Sequence, residues 1–231
     1  MSDIPQPPDS LYVFGHLAFG DALVLNGMIR VLARKHARLK WVVNTDYVRA
    51  VRATVEDVPN VQVLAALSYE EVRKRWIPQC PNNLRLGYFA DSFDEANWDR
   101  EMYRLAGVHF DARWNECRFP MRLLKGSKEP KRNIALAHED YERKFLIRPE
   151  FLPTDLEVFK VNKRPSILDW LPEIFSAKEL HFVDSSFLNL AESLHAMGAL
   201  PNTTLVFHKY AKQYPGAAKW PELRAPWRIF E

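Results

Sequence analysis

The stretch Leu11 to His36 constrains this chain more than any other, because it reads L-Y-V-F-G-H-L-A-F-G-D-A-L-V-L-N-G-M-I-R-V-L-A-R-K-H. Leu11 to Phe14 is a short apolar run closed by Gly15, the pattern of a buried strand. His16-Leu17-Ala18-Phe19-Gly20-Asp21 is then a turn with a glycine near each end. After Asp21 the spacing becomes helical, with Leu25, Met28, Ile29, Leu32 and Ala33 on one apolar face and Asn26, Arg30 and Arg34 stepping along the opposite side. Gly27 inside that helix costs about 1 kcal/mol relative to Ala, which close packing against a strand or ligand would justify. Strand, glycine turn and helix in this order open a parallel α/β sheet.

The turn is not a known phosphate loop. Gly15 and Gly20 are five apart and Asp21 follows, so the dinucleotide fingerprint is broken, and no Gly-Lys-Ser/Thr follows. A carboxylate at the mouth of the turn repels phosphate. It suits a general base, with His16 beside it, or else Asp21 is simply the N-cap of the helix.

Downstream the alternation continues. Leu39–Val43 and Val61–Leu64 read as strands, Tyr47–Val55 and Glu70–Trp76 as helices. Ile77–Asn83 reads as a loop, Leu84–Phe89 as a strand, and Phe93–Ala106 as a helix with Trp98, Met102 and Leu105 in a buried stripe. A βαβαβ rhythm predicts a parallel sheet, with ligands at the carboxyl ends of its strands, where His16 to Asp21 falls. Lys125 to Arg132, K-G-S-K-E-P-K-R, has no apolar residue and reads as a linker, giving domains 1–124 and 133–231.

The second half restarts the pattern with strands at Asn133–Ala137, Leu156–Val161, His181–Asp184 and Thr203–Phe207. Ser166–Ala177 is helical, opened by a Ser166/Asp169 capping pair and kinked or split by Pro172. Polar residues gather after three strands: His138, Asp140 and Arg143; Ser185 and Ser186 at a helix start; His208 and Lys209. If the strands are parallel neighbours, the three groups share one edge, and hydroxyls at a helix N-terminus with Arg143 and Lys209 would hold a diphosphate. The tail Trp220–Glu231 reads as a strap across the halves or a subunit contact.

Composition narrows the class. With 47% hydrophobic and 26% charged residues the chain folds, and a net charge of +3 is too small to argue for nucleic acid. Cys80 and Cys117 match no metal spacing and read as free thiols of a cytoplasmic protein. The first ten residues lack a leader pattern, and no apolar run is long enough to span a membrane.

The opening H-L-A-F-G-D-A-L-V-L-N-G-M-I-R resembles the H-x-G-x-G-D-x-x-x-x-N-G-x-x-R opening of bacterial and phage glycosyltransferases of the GT-B type. The likeness continues in H-E-D-Y-E-R-K-F, in S-I-L-D-W to D-S-S-F-L-N-L-A-E-S-L, and in L-V-F-H-K-Y. Heptosyltransferases, which carry a Gly-Asp pair at the same place, are more distantly similar. The resemblance implies an α/β fold of two Rossmann-like parallel-sheet halves facing a cleft, acceptor on the first and nucleotide-sugar on the second. It implies Asp21 as the base, His16, Asn26 and Arg30 shaping the acceptor pocket, and Asp140 touching substrate. His138, Arg143, Ser185, Ser186, His208 and Lys209 would surround the donor diphosphate. Two departures stand out: Ala18 replaces a glycine and Glu139 replaces an aspartate. No D-x-D pair occurs, and Asp140-x-Glu142 reads as loop, so no metal is expected and Arg, Lys and a helix terminus carry its electrostatic work.

The reading that follows is a nucleotide-sugar-dependent, metal-independent and inverting transferase acting on a glycan or other hydroxyl, as in polysaccharide biosynthesis. A non-catalytic nucleotide or sugar-phosphate binder, for which the short second half speaks, and a nucleotide-sugar hydrolase are the alternatives. Donor base, acceptor and oligomeric state are not encoded legibly.

Overall fold

The computed structural model describes residues 10–129, 131–211 and 220–231. Of the first ten residues only Ser10 lies within them, so the leader reading falls outside the described residues, as does Pro130 of the 125–132 stretch. The chain divides into two compact units, Met1–Pro120 and Met121–Glu231.

The first unit holds a four-stranded, all-parallel sheet in the order β3-β2-β1-β4. Its strands are β1 (Ser10–Phe14), β2 (Arg38–Asn44), β3 (Val61–Ala66) and β4 (Asn83–Arg85). Helix α1 (Phe19–Lys35) joins β1 to β2, and α2 (Val48–Val55) joins β2 to β3. The chain then crosses to the far side of β1, so the strand order reverses at β1, where open α/β sheets form ligand crevices. That crossover is helical from Tyr69 to Gln79, with a π-helical centre at Val72–Trp76. β4 is shorter and earlier than the Leu84–Phe89 strand the apolar run suggests. Gly87 takes a φ of +58° and turns the chain at Gly87–Phe89. Tyr12, Phe14, Leu17, Val42 and Phe89 pack together in the core under this sheet.

The second unit holds a five-stranded, all-parallel sheet in the order β6-β5-β7-β8-β9. Its strands are β5 (Arg132–His138), β6 (Glu157–Lys160), β7 (Ala177–Phe182), β8 (Thr204–His208) and β9 (Arg228–Phe230). Order reverses again, at β5. The halves are therefore both Rossmann-like, as the alternation implies. Pro172 sits in the first turn of the helix Leu171–Ser176, and the expected capping box forms at Ser166 and Asp169, so the segment splits into two short helices. β7 begins at Ala177, four residues before the expected start. The tail, read from sequence as a strap or a subunit contact, supplies β9, which pairs along β8 as an edge strand. Buried Glu192 fixes the approach to it, accepting from Arg224 N (2.6 Å) and Trp227 Nε1 (2.7 Å).

Helix α1 differs from expectation on its polar side. Asn26 and Arg30 are buried, not solvated. Gly27 is explained by the short helix Ala112–Asn115: a Cβ on Gly27 would stand 1.9 Å from the Ala112 carbonyl oxygen.

Candidate active site

The β1–α1 turn is built from three directions. Helix α1 starts at Phe19 with Ala18 as its N-cap, so Asp21 is a first-turn residue rather than the cap. There its carboxylate gains from the exposed N–H groups of the helix start. The Leu17 peptide is held on both sides: its N–H donates to Tyr69 Oη (3.0 Å), and its carbonyl accepts from Asn44 N (3.2 Å) at the end of β2. His16 is buried, its Nδ1 3.7 Å from Asp21 Oδ2. Its ring stacks on Tyr88 at 4.3 Å between centroids and lies near-parallel to Trp98 at 5.9 Å, with Phe93 edge-on at 5.5 Å.

Gly87 makes room for this ring, since a Cβ there would come within 2.3 Å of His16 Nε2. Burial in this aromatic surround pushes the His16 pKa down to about 4, so the ring is neutral at physiological pH. Its Nε2 is buried without a hydrogen-bond partner among the described residues.

Asn26 and Arg30 are not brought to this turn. Arg30 makes a two-pronged ion pair with Asp57 (2.7 and 2.9 Å) and donates to the Thr54 carbonyl (3.1 Å). Asn26 Oδ1 accepts from Arg30 Nε (3.2 Å) and Arg118 N (3.2 Å), and its amide donates to Thr54 O (3.3 Å). Both residues tie α1 to the end of α2. The helical period placed them on one face, but it did not show that Asp57 and Thr54 would close over that face.

In the second unit two of the three strand-end groups meet. The carbonyl of His138, ending β5, accepts from Val183 N (3.4 Å), just beyond β7. The His138 ring stacks on Phe187 (4.4 Å) in the helix Ser186–Ala196, and burial lowers its pKa to about 4. The loop after β5 is tight. Asp140 and Phe145 bond each other's backbone, and Lys144 takes a positive φ of 59°.

Asp140 accepts from both the N–H (2.9 Å) and Nε (2.7 Å) of Arg143, whose Nη2 donates to the Asp184 carbonyl (2.8 Å). Burial raises the Asp140 pKa, but the Arg143 bonds and charge outweigh it and hold the carboxyl below its usual value. Asp140 thus aims Arg143 across to the end of β7.

Ser185 stands at the N-cap position yet makes no capping bond. Its Oγ and His138 Nδ1 are both buried and without partners among the described residues. Arg143, His138 and Ser185, with Ser186 opening the helix, therefore gather at the point where this sheet reverses order. Two buried polar atoms wait there for a partner.

His208 and Lys209 are placed differently. His208 is fully buried; its Nε2 meets His181 Nδ1 (3.1 Å) and its Nδ1 meets Tyr210 Oη (3.2 Å). Lys209 Nζ is paired with both carboxylate oxygens of Glu231 (2.8 and 2.7 Å). Glu139, the family departure, is a loop anchor. It accepts from Ile147 N (2.9 Å), Tyr141 Oη (2.7 Å) and Lys160 Nζ (2.8 Å).

Sequence reasoning missed Tyr69, Tyr88 and Gly87. A local signal existed for the first: Ser68 and Glu71 have N-cap spacing, and Ser68 Oγ does accept from Glu71 N, which places Tyr69 at a helix start.

No model of a known protein family matches the sequence, and comparison with curated proteins finds no relative. Solved structures do match. TibC from enterotoxigenic E. coli, a bacterial iron-containing dodecameric glycosyltransferase, superposes with a TM-score of 0.52 at 14% identity. That match covers 86% of this chain and 57% of TibC. The chain has the fold of a glycosyltransferase. TibC in complex with ADP-D-β-D-heptose, described as a heptosyltransferase, gives 0.50 at 11% identity, again over 86% of this chain and 57% of that one. A glycosyl transferase of family 9 from Veillonella parvula gives 0.47 at 11% identity over 89% of this chain and 83% of that one. The chain thus spans little more than half the length of TibC.

Among the described residues no three His, Cys, Asp or Glu side chains gather as metal ligands, and no helix is long and apolar enough to cross a membrane. Cys80 and Cys117 are buried and form no disulfide.

Proposed function

We propose that the protein is a metal-independent glycosyltransferase of the GT-B type. It moves a sugar from a nucleotide-sugar to a hydroxyl of a glycan or small-molecule acceptor. The observation that carries this reading is the Asp21 carboxylate beside a neutral, buried His16 at the end of β1, where the strand order reverses. Asp21 takes the proton of the acceptor hydroxyl, whose oxygen forms the new bond to the anomeric carbon. The bond from that carbon to the diphosphate breaks, and its electron pair leaves with the nucleoside diphosphate. Direct attack of this kind inverts the anomeric centre.

A nucleotide diphosphate is held in the second unit by Arg143, by Ser185 and Ser186 at a helix start, and by His138 Nδ1 when that nitrogen carries the ring proton. Asp140 acts through Arg143, by aiming it. The buried thiols of Cys80 and Cys117 suit the reducing cytoplasm. The ADP-heptose bound by TibC makes ADP the first nucleotide to try.

A thermal-shift panel of ADP, UDP, GDP, CMP and dTDP, with and without Mg²⁺, tests the donor side on wild type and Arg143→Ala. Saturating nucleotide at 100 times its Kd is worth about 2.7 kcal/mol, or about 5–10 °C for a chain of this size. One nucleotide stabilising the wild type without metal, and not the variant, is the expected result. A flat panel on folded protein overturns the donor assignment.

A non-catalytic nucleotide binder is the second reading. The pairing of Lys209 with Glu231 and the burial of His208 favour it, since they leave Arg143 as the cation of the strand-end cluster. A stabilising nucleotide whose sugar conjugate is never consumed with any acceptor would select it.

A further inference from the structure

Nothing in the opening motif marks Tyr69, which lies 52 residues from the turn it touches. Its hydroxyl oxygen accepts the Leu17 N–H at 3.0 Å, while the Leu17 carbonyl is held by Asn44 N. Leu17 directly follows His16, so this one residue, its two flanking peptides held from the helix after β3 and from the end of β2, fixes where His16 and Asp21 stand. The clamp is itself built. Ser68 caps the helix at Glu71 N, Glu71 Oε2 holds Leu67 N, and the Tyr69 ring stacks on Phe89 at 5.3 Å. Burial raises the Tyr69 pKa, with the negative charge of nearby Asp21 adding to the rise, so the phenol keeps its proton at every working pH.

Resting on the transferase reading above, we propose that Tyr69 is a positioning residue of the reaction. It holds the Leu17 backbone so that Asp21 and His16 meet the acceptor hydroxyl. Core packing alone does not account for a hydroxyl placed on that peptide, because a phenylalanine would fill the same space.

The test is Tyr69→Phe, read beside Tyr69→3-fluorotyrosine, which keeps the accepting hydroxyl and is expected to behave as wild type. Loss of one such hydrogen bond is expected to lower kcat about tenfold with KM for the acceptor nearly unchanged. A structural role alone would not lower kcat while leaving KM in place. A second readout needs no substrate: NMR titration of the His16 ring and exchange protection of the Leu17 amide. Positioning predicts a shifted His16 titration and a deprotected Leu17 amide in Tyr69→Phe. If wild type transfers no sugar but both NMR signals change, the transferase reading fails and the clamp stands. If wild type is active and Tyr69→Phe matches it in kcat and both NMR signals, the proposal is overturned.

Discussion

His16 Nδ1 lies 3.7 Å from Asp21 Oδ2, and a fully neutral ring at working pH makes this a polar contact rather than an ion pair. Asp21→Asn keeps the shape and removes the base, so turnover is expected to fall by about 10²–10⁴ while the nucleotide-induced thermal shift is unchanged. His16→Gln, which keeps a neutral polar group there, is expected to lose much less, about tenfold. Product formation from a radiolabelled nucleotide-sugar checks both, and full turnover by Asp21→Asn would end the base assignment.

Gly27 makes a prediction of opposite sign to helix propensity. In an open helix Gly→Ala gains about 1 kcal/mol. Here the new methyl would meet the Ala112 carbonyl oxygen at 1.9 Å and its carbon at 2.8 Å, which are backbone atoms and cannot swing aside. Overpacking of this kind costs roughly 1–3 kcal/mol, so Gly27→Ala should lower the urea midpoint. A higher midpoint would mean that the helix Ala112–Asn115 does not lie on α1.

Much of the fold was readable because period is a local property. The runs at Leu11, Leu39 and Val61, and the alternation after Lys131, placed β1, β2, β3 and β5 within a few residues. β9 was missed because Arg228–Phe230 is three residues long and gains its identity only by pairing with β8. The places of His16, Asp21, His138 and Ser185 at strand ends and helix starts were legible, because there the residue's own position in the chain decides its place. Place was not legible where a distant partner decides. Asp57 turns Arg30 inward, His181 draws His208 into the sheet, and Glu231 takes Lys209. None of these pairs leaves a trace in local spacing.

Arg113 and Asp99 form an ion pair at 2.6 Å, and each side chain is 5% exposed or less. Removing one partner strands a buried charge, so Arg113→Ala should cost about 3–5 kcal/mol. Replacing both, as Arg113→Met with Asp99→Leu, should recover most of that, since the pair's own attraction is largely offset by desolvation. Urea unfolding of the three variants checks the coupling. Equal losses in single and double variants would show that the charges are not what the site is built around.

The last prediction concerns acid. His16, His138 and His208 have pKa values lowered by burial to about 4, and His181 is lowered by burial too, against the pull of Glu179. A histidine in the unfolded chain takes up its proton near pH 6.5, while the rings of His16, His138 and His208 in the folded protein do not until about 4. Between those values the unfolded state binds more protons, so stability rises with pH and is lost as pH falls. Each ring that is charged only in the unfolded state contributes a slope of about 1.4 kcal/mol per pH unit. The melting temperature should therefore be flat above about 7 and drop steeply from 6 to 4.5. His208→Gln, which removes one ring from the His181 contact, should make that drop shallower whatever it does to stability at pH 7. Calorimetry in non-volatile buffers at matched ionic strength reads both. A melting temperature unchanged down to pH 4.5 would mean that these rings titrate in the fold as they do in water.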